Sequence, residues 1–394
     1  MKTFARLESV FIQAARLQRG GVLRRVLRLE GLAVNVARSA LRRWRFRRRH
    51  GVAPAGIAFS PTMECNLACA GCYAAQYPRG EEVPLEVFDR MLGEAERIGV
   101  FLVVVTGGEP LLREGLVGLL ARHRRLLFLL VTNGTLLDGV AAHALSGSRN
   151  IVPVISLDGP RDWNDARRGE GTYAAAVAAM DLLKKERALF GFSTMVTRDN
   201  WAAVVGDQFV VEMIERGCAL GFYTEYMPVG EAARKDWILS RREQDLFRQE
   251  LRRVRATKPL IAVHLPDDEY DERDRCMGVA WGSVHINAQG FIEPCPFAHF
   301  AADNIVETGL EEGLCSAFLR ELRASDAISR RTHLGCALVE NRAMLGDIAG
   351  RTGAKDTDTA GPRLPAASPG SSCPRDSGPA SRSILPKAKR AGRS

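Results

Sequence analysis

Cys65, Cys69 and Cys72 fall within one short stretch, ECNLACAGCY. A structural zinc site takes four nitrogen or sulfur ligands and a disulfide takes two thiols. No histidine occurs between His50 and His123, and the next cysteine is Cys218. Three thiolates on a cubane iron–sulfur cluster would leave one iron without a protein ligand, open to a small molecule as the fourth position of a catalytic zinc is. A zinc site completed by a distant ligand is the alternative reading of the same three residues. A second pair, Cys276 and Cys295, brackets Gly290 in the pattern C-x13-G-x4-C. Between them WGSVHIN and FIEP read as two short strands around the turn AQG, a hairpin that would draw its ends together.

These residues need a scaffold. After Pro54, short apolar runs alternate with helical stretches: GIAFS (56–60), FLVVVT (101–106), LLFLLVT (126–132), IVPVISLD (151–158), FGFSTMVT (190–197) and LGFYTEY (220–226). Helices are expected over 85–98, 172–185 and 201–215. Strand–helix repeats imply a parallel sheet with crossover helices, because parallel strands cannot be joined by tight turns. Six units make an α/β fold with a partial (β/α)6 TIM-like barrel, whose chemistry sits in the loops leaving the carboxyl ends of the strands. The cysteine trio follows the first strand, GGEP (107–110) the second and TNGT (132–135) the third, while SLDGP (156–160) ends the fourth. All four point to one rim. The expected divisions are a basic amphipathic helical segment over 1–50, the barrel over 51–235, a small α+β unit over 236–350 and a basic disordered tail over 351–394.

The chain has 394 residues, 46% of them hydrophobic, and a net charge of +9 that is unevenly spread. Residues 1–50 carry +12 and residues 351–394 carry +6, which leaves the body at −9. Anionic partners therefore belong at the ends. From Val22 to Phe46 apolar residues recur at helical spacing among arginines and close on RRWRFRRR. This helix would either dock on the acidic body or contact an anionic membrane surface. No secretory core is evident at the N-terminus, and the longest apolar run of the body, Leu126 to Val131, is far too short to span a bilayer. Nine cysteines, an odd number, in a chain too long to need staples suit reduced thiols in a cytoplasm, with peripheral membrane contact as an addition.

CNLACAGCY, GGEP after the next strand and SLDG after the fourth together resemble the radical S-adenosylmethionine (SAM) superfamily over about residues 56–230. The resemblance implies a 4Fe–4S cluster held by Cys65, Cys69 and Cys72, with SAM on the open iron and Tyr73 near the adenine. Gly107, Gly108 and Glu109 match the segment that receives the methionyl amino group, and Asn133, Ser156 and Asp158 match positions that shape the ribose side of the pocket. An electron from a donor such as a ferredoxin or flavodoxin would cleave SAM to a 5′-deoxyadenosyl radical that takes hydrogen from the substrate. The segment 275–297 is similar to the opening of SPASM and twitch auxiliary-cluster domains. A full SPASM set of cysteines is absent, so one further cluster is implied, on Cys276, Cys295 and Cys336. Cys315, among Leu314, Phe318 and Leu322, is either a fourth ligand or a buried structural thiol, and His299 or His333 is an alternative ligand. Cys218 is expected in the core. Glu225, ending the sixth strand, is the candidate acid–base residue, and the acidic run 266–274 reads as a solvated loop. Family analogy favours a ribosomal peptide or protein as substrate. A small molecule, cofactor precursor or membrane-borne lipid is the second reading, and a non-catalytic metal-binding nucleic-acid module, supported only by the basic ends, is the third.

Overall fold

The structure is a computed structural model and describes residues 32–229, 233–271, 273–332 and 335–358. Strands β1 (Gly56–Phe59), β2 (Leu102–Val105), β3 (Leu127–Thr132), β4 (Ile151–Ser156), β5 (Gly191–Val196) and β6 (Leu220–Glu225) pair in chain order, each parallel to the next. The sheet does not stop there. Strand β7 (Ile261–Leu265) adds in parallel to β6, and β8 (His285–Ile286) adds in parallel to β1 with β9 (Ile292–Glu293) antiparallel beyond it. The result is a nine-stranded sheet in the order β7-β6-β5-β4-β3-β2-β1-β8-β9, and β10 (Phe300–Ala301) and β11 (Lys355–Asp356) form a separate pair. Both outer strands of the six-strand core would otherwise expose unpaired N–H and C=O groups, so the segment read as a separate unit instead extends both edges. The hairpin read in WGSVHIN and FIEP is the β8–β9 pair.

Helices Leu85–Ile98 and Thr172–Lys185 end where their periodicity ends. The stretch read as one helix over 201–215 is two, Trp201–Val204 and Asp207–Arg216. Gly206 lies in the break, where its backbone freedom weakens a continuous helix. The basic helix is described over Leu32–His50, and the earlier part of that expectation lies outside the described residues.

Strands β1 and β2 alternate buried and half-buried residues, as a period of two requires. On one face Phe59, Val103, Val105, Phe128, Leu130 and Phe192 are buried in the cluster that includes Phe88, Met91, Leu92, Met180 and Leu183 of the crossover helices. Each such side chain contributes about 1.5–3 kcal/mol. On the other face Leu102, Val104, Leu127, Val131 and Phe222 are only partly covered around Leu129, Val152, Val154 and Leu220. A parallel sheet is normally covered on both faces, so a partly exposed inner face marks the working side of the sheet.

The β8–β9 hairpin is locked to β1 by a buried polar network. Ser60, just past β1, lies 2.7 Å from Nε2 of His285, whose Nδ1 is 2.6 Å from Glu293. The Tyr77 hydroxyl donates to the same carboxylate at 2.6 Å, and Asn287 donates to its other oxygen at 2.9 Å. Ser60, His285, Asn287 and Glu293 are all fully buried. Serine, histidine and carboxylate stand in the order of a hydrolytic triad, but without access for a substrate they serve as a fastening. Removing one member leaves the others unsatisfied in an apolar setting. Glu293→Ala is expected to lower stability by about 3–5 kcal/mol in urea unfolding, with Glu293→Gln losing less; equal stability of Glu293→Ala and wild type would contradict this role.

Candidate functional site

The segment carrying Cys65, Cys69 and Cys72 leaves the carboxyl end of β1 without regular structure until the short helix Tyr73–Gln76. The three thiols are free and half-buried, and close enough for their charges to interact. Burial raises the Cys65 thiol above its ordinary range, partly opposed by the Leu67 N–H donating to Sγ at 3.4 Å. Burial also raises Cys69, opposed by the charges of Arg168 and Arg167. Among the described residues no three His, Cys, Asp or Glu side chains are grouped to hold a single metal ion. A cluster makes a different demand, because each cysteine ligates its own iron.

An irregular loop needs neighbours to hold it, and GGEP supplies them. The Gly108 and Glu109 amides donate to Thr62 O at 2.9 Å and Glu64 O at 2.8 Å. Gly107 has φ +102°, and a Cβ there would stand 2.5 Å from Thr62 O. On Gly108 a Cβ would stand 2.0 Å from Glu64 O. Only glycines allow this contact between the two loops. Glu109 is buried with both oxygens engaged: Oε1 accepts from Thr132 Oγ1 (2.7 Å) and Leu111 N (3.0 Å), and Oε2 from Asn133 N (2.7 Å). It pins GGEP to the end of β3. Asn133 donates to Asn66, next to Cys65, at 2.9 Å, so the β3 loop also reaches the cysteine loop. The Tyr73 hydroxyl lies 3.0 Å from Thr106 Oγ1 and accepts from Gly107 N at 3.1 Å, and surrounding protein pushes its pKa up to about 12. Its ring meets Phe297 edge-on at 5.4 Å.

Ser156 ends β4, buried, and Asp158 follows it almost fully buried. Arg168 Nε donates to Asp158 at 2.6 Å and Arg168 Nη2 at 3.2 Å, Arg167 Nη1 donates at 2.5 Å, and Met195 N at 2.9 Å. Although burial alone would raise it, the two guanidiniums hold the Asp158 carboxyl well below the usual carboxylate range. Arg167 exchanges hydrogen bonds with the cysteine loop: its Nε donates to Ala70 O at 3.1 Å, and its own carbonyl accepts from Ala70 N at 3.0 Å. Sequence reading did not single out Arg167, Arg168 or Asn66. The adjacent arginines closing the short helix Arg161–Arg168, just after SLDGP, were the available signal.

Glu225 stands buried at the end of β6, where position suggested acid–base work, but both oxygens are taken. His264 Nε2 lies 2.7 Å from Oε1 and Gln244 donates to Oε2 at 3.0 Å.

The second set of thiols also converges. Cys276, Cys295 and Cys336 are free and interact electrostatically with one another. Burial raises Cys276 to about 12 and Cys336 to about 11, and raises Cys295 well above its ordinary value. Tyr270 organises them. Its backbone forms a β-bridge with Cys276, and its hydroxyl donates to Gly335 O at 2.7 Å while accepting from Ala337 N at 3.1 Å, on either side of Cys336. In the run read as a solvated loop, Asp267 and Asp268 pair with arginines, while Glu269 is exposed. Cys315 is buried between helices Gly309–Gly313 and Ala317–Ala324 and is disulfide-bonded, so it is neither the free ligand nor the reduced structural thiol expected of it. Both ring nitrogens of His299 are occupied, by Pro296 O at 2.7 Å and by Asp358. His333 lies outside the described residues, and Cys218 is in the core.

Residues 59–205 match the Radical SAM superfamily. The chain is 31% identical over 224 residues to the mycofactocin maturase MftC of Mycobacterium ulcerans, across 50% of this chain and 58% of that protein. It is 28% identical over 302 residues to MftC of Mycolicibacterium smegmatis, across 69% and 73%. The solved structure of Streptococcus suis SuiB bound to the precursor peptide SuiA superposes with a TM-score of 0.60 at 19% identity, covering 74% of this chain and 72% of that one. At that identity the likeness is one of fold.

Asp158 gives this site a pH signature. Its folded pKa is depressed, so its contribution to stability is complete above about pH 4, the ordinary carboxylate value, and is lost only as pH falls through the depressed value. Asp158→Asn should therefore cost about 3–5 kcal/mol throughout pH 5–8, with the gap from wild type closing only in stronger acid. A gap that closed near neutrality would rule out this pairing.

Proposed function

We propose that the chain is a radical SAM enzyme that modifies a ribosomally made peptide by radical chemistry, a reading supported by the family match over residues 59–205 and by the similarity to peptide maturases. The observation that carries the reading is the site at the end of β1: three free thiols in one loop, backed by the close approach of Gly107 and Gly108 to the Thr62 and Glu64 carbonyls. Cys65, Cys69 and Cys72 would hold a 4Fe–4S cluster, which would supply the electron for reductive cleavage of SAM and so a hydrogen-abstracting radical.

The protein's own contribution is to hold and to exclude. Gly107 and Gly108 bring backbone close to the cysteine loop, where the methionyl end of SAM is received, and Tyr73 holds the Gly107 amide in place. Asn133 and Ser156 stand at the carboxyl ends of neighbouring strands, suited to the ribose side. Glu109 and Asp158, whose oxygens are spent on protein donors, act by fixing the loops around SAM. Glu225 fixes β6 to β7 in the same way. The partly covered inner face of the sheet is the space in which a substrate would meet the radical, shielded from water.

Cys276, Cys295 and Cys336 suit an auxiliary iron–sulfur cluster: three desolvated thiols within reach of one another, fixed by Tyr270. The peptide substrate is supported by the names of the relatives, a maturase in two mycobacteria, and by SuiB having been solved with its precursor peptide. A reductant of the ferredoxin or flavodoxin kind completes the set of partners.

Anaerobic reconstitution with iron and sulfide, followed by SAM and dithionite, is expected to yield 5′-deoxyadenosine and about eight irons per chain, two 4Fe–4S clusters. Replacing Cys65, Cys69 and Cys72 by alanine should abolish 5′-deoxyadenosine and remove about four irons. Replacing Cys276 and Cys295 should remove only the other set. An intact cluster that never cleaves SAM would sink the enzymatic reading.

A further inference from the structure

Helix Leu32–His50 forms one wall of a groove of about 310 Å³, and the other wall is the segment that carries Cys276. Arg43, Trp44 and Arg47 line it from the helix, and Asp271, Arg275 and Trp281 from the opposite side. Asp271 is the acidic residue among those lining it, and it is already paired with Arg275 at 3.0 Å. Arg43 donates to Gly99 O at 3.4 Å and Arg47 lies 5.7 Å from the Trp281 ring; among the described residues neither has a carboxylate within ion-pair distance. Both indoles are largely exposed, Trp44 at 54% and Trp281 at 42%. Arg43 and Arg47, without a carboxylate partner among the described residues, stand beside two exposed indoles that each carry an arginine over the ring (Arg47 over Trp281; Arg48 over Trp44 at 4.8 Å), a surface for carboxylates carried on an apolar backbone.

We propose that this groove docks an acidic, apolar segment of the peptide substrate, outside the residues that are modified. The inference rests on the peptide-modifying reading above. Charge complementarity supports it: the body of the chain carries −9, so an acidic peptide is repelled by the body and drawn to the basic ends, of which the arginine helix is the one that lines a groove. Shape favours a peptide over a membrane. The cations and indoles face each other across a cleft between two walls, which an extended chain can enter and a broad lipid surface cannot. Placement fits as well, because Arg275 immediately precedes Cys276, and the helix Met277–Trp281 that follows it ends at the groove. A segment docked here is held beside the second thiol site.

The test uses the reconstituted full chain and a fluorescein-labelled octapeptide of alternating Glu and Phe, with the Lys-for-Glu version as control. Fluorescence anisotropy should show salt-sensitive binding of the acidic peptide alone. Arg47→Glu and Trp281→Ala should each weaken it by about tenfold or more, while 5′-deoxyadenosine formed without peptide stays within about twofold of wild type. Arg47 and Trp281 are exposed, and unchanged thermal melting of each variant verifies folding. Absence of acidic-peptide binding to wild type, or binding indifferent to both substitutions, overturns the proposal. So does Arg47-dependent capture on phosphatidylserine-containing vesicles that the acidic peptide does not compete away, which would assign the groove to lipid. If the acidic peptide binds through Arg47 and Trp281 but SAM is never cleaved, the docking site stands and the enzymatic reading falls; the reverse result removes the docking site alone.

Discussion

One buried carboxylate links the two thiol sites. Glu293 accepts from Tyr77, which follows the first cysteine loop, and from His285, which reaches Ser60 at the start of that loop. It also lies two residues before Cys295. A carboxylate with its acceptor sites filled by buried donors holds one geometry, because any shift leaves a polar group unsatisfied at a cost of about 1–3 kcal/mol. Both loops are irregular and have little backbone hydrogen bonding of their own. Their relative placement therefore rests on side chains, and this network is where those side chains meet.

The same logic recurs around the rim. Glu109 ties GGEP to β3, Asn133 ties the β3 loop to Asn66, and Arg167 ties the helix after β4 to Ala70. The loop after β2 is thus tied to the end of β3, and those after β3 and β4 reach the cysteine loop. The parallel sheet sets where the loops begin, and these contacts decide where they finish. A cofactor site of this kind needs pre-positioned ligands, since ordering them on binding would cost about 1–2 kcal/mol per residue.

How much of this was legible beforehand depended on range. Apolar runs of five to eight residues revealed all six core strands, because burial patterns are local. GGEP and the cysteine spacing revealed the rim, because glycine contacts and thiol sets leave compositional marks. Tertiary partners leave none. Glu109 and Asp158 were visible as site residues, but that their oxygens would be spent on Thr132, Asn133, Arg167 and Arg168 depended on folded proximity. The pairing of Asp267 and Asp268 with arginines, and the Tyr270–Cys276 bridge, likewise depended on folded proximity that an acidic run does not reveal. Strand β7 and the β8–β9 hairpin were too short or too far along the chain to be read as edges of the first sheet.

Asp158 and its two arginines carry a further electrostatic consequence. One carboxylate facing two guanidiniums leaves a net positive charge in a buried position, which by itself is expensive. Arg168 also interacts with Cys69 and Cys72, and those interactions favour its charged form. The arrangement balances only when the thiols bear negative charge, as they do when they ligate metal. The same positive charge favours thiolate at Cys69 and opposes the desolvation that raises its pKa. Asp158 orients the arginines, the arginines favour the anionic ligand set, and Arg167 holds the loop that presents it. The ion pair and the thiol loop are in this sense one device, with the unpaired half of the salt bridge aimed at the site where negative charge must be held.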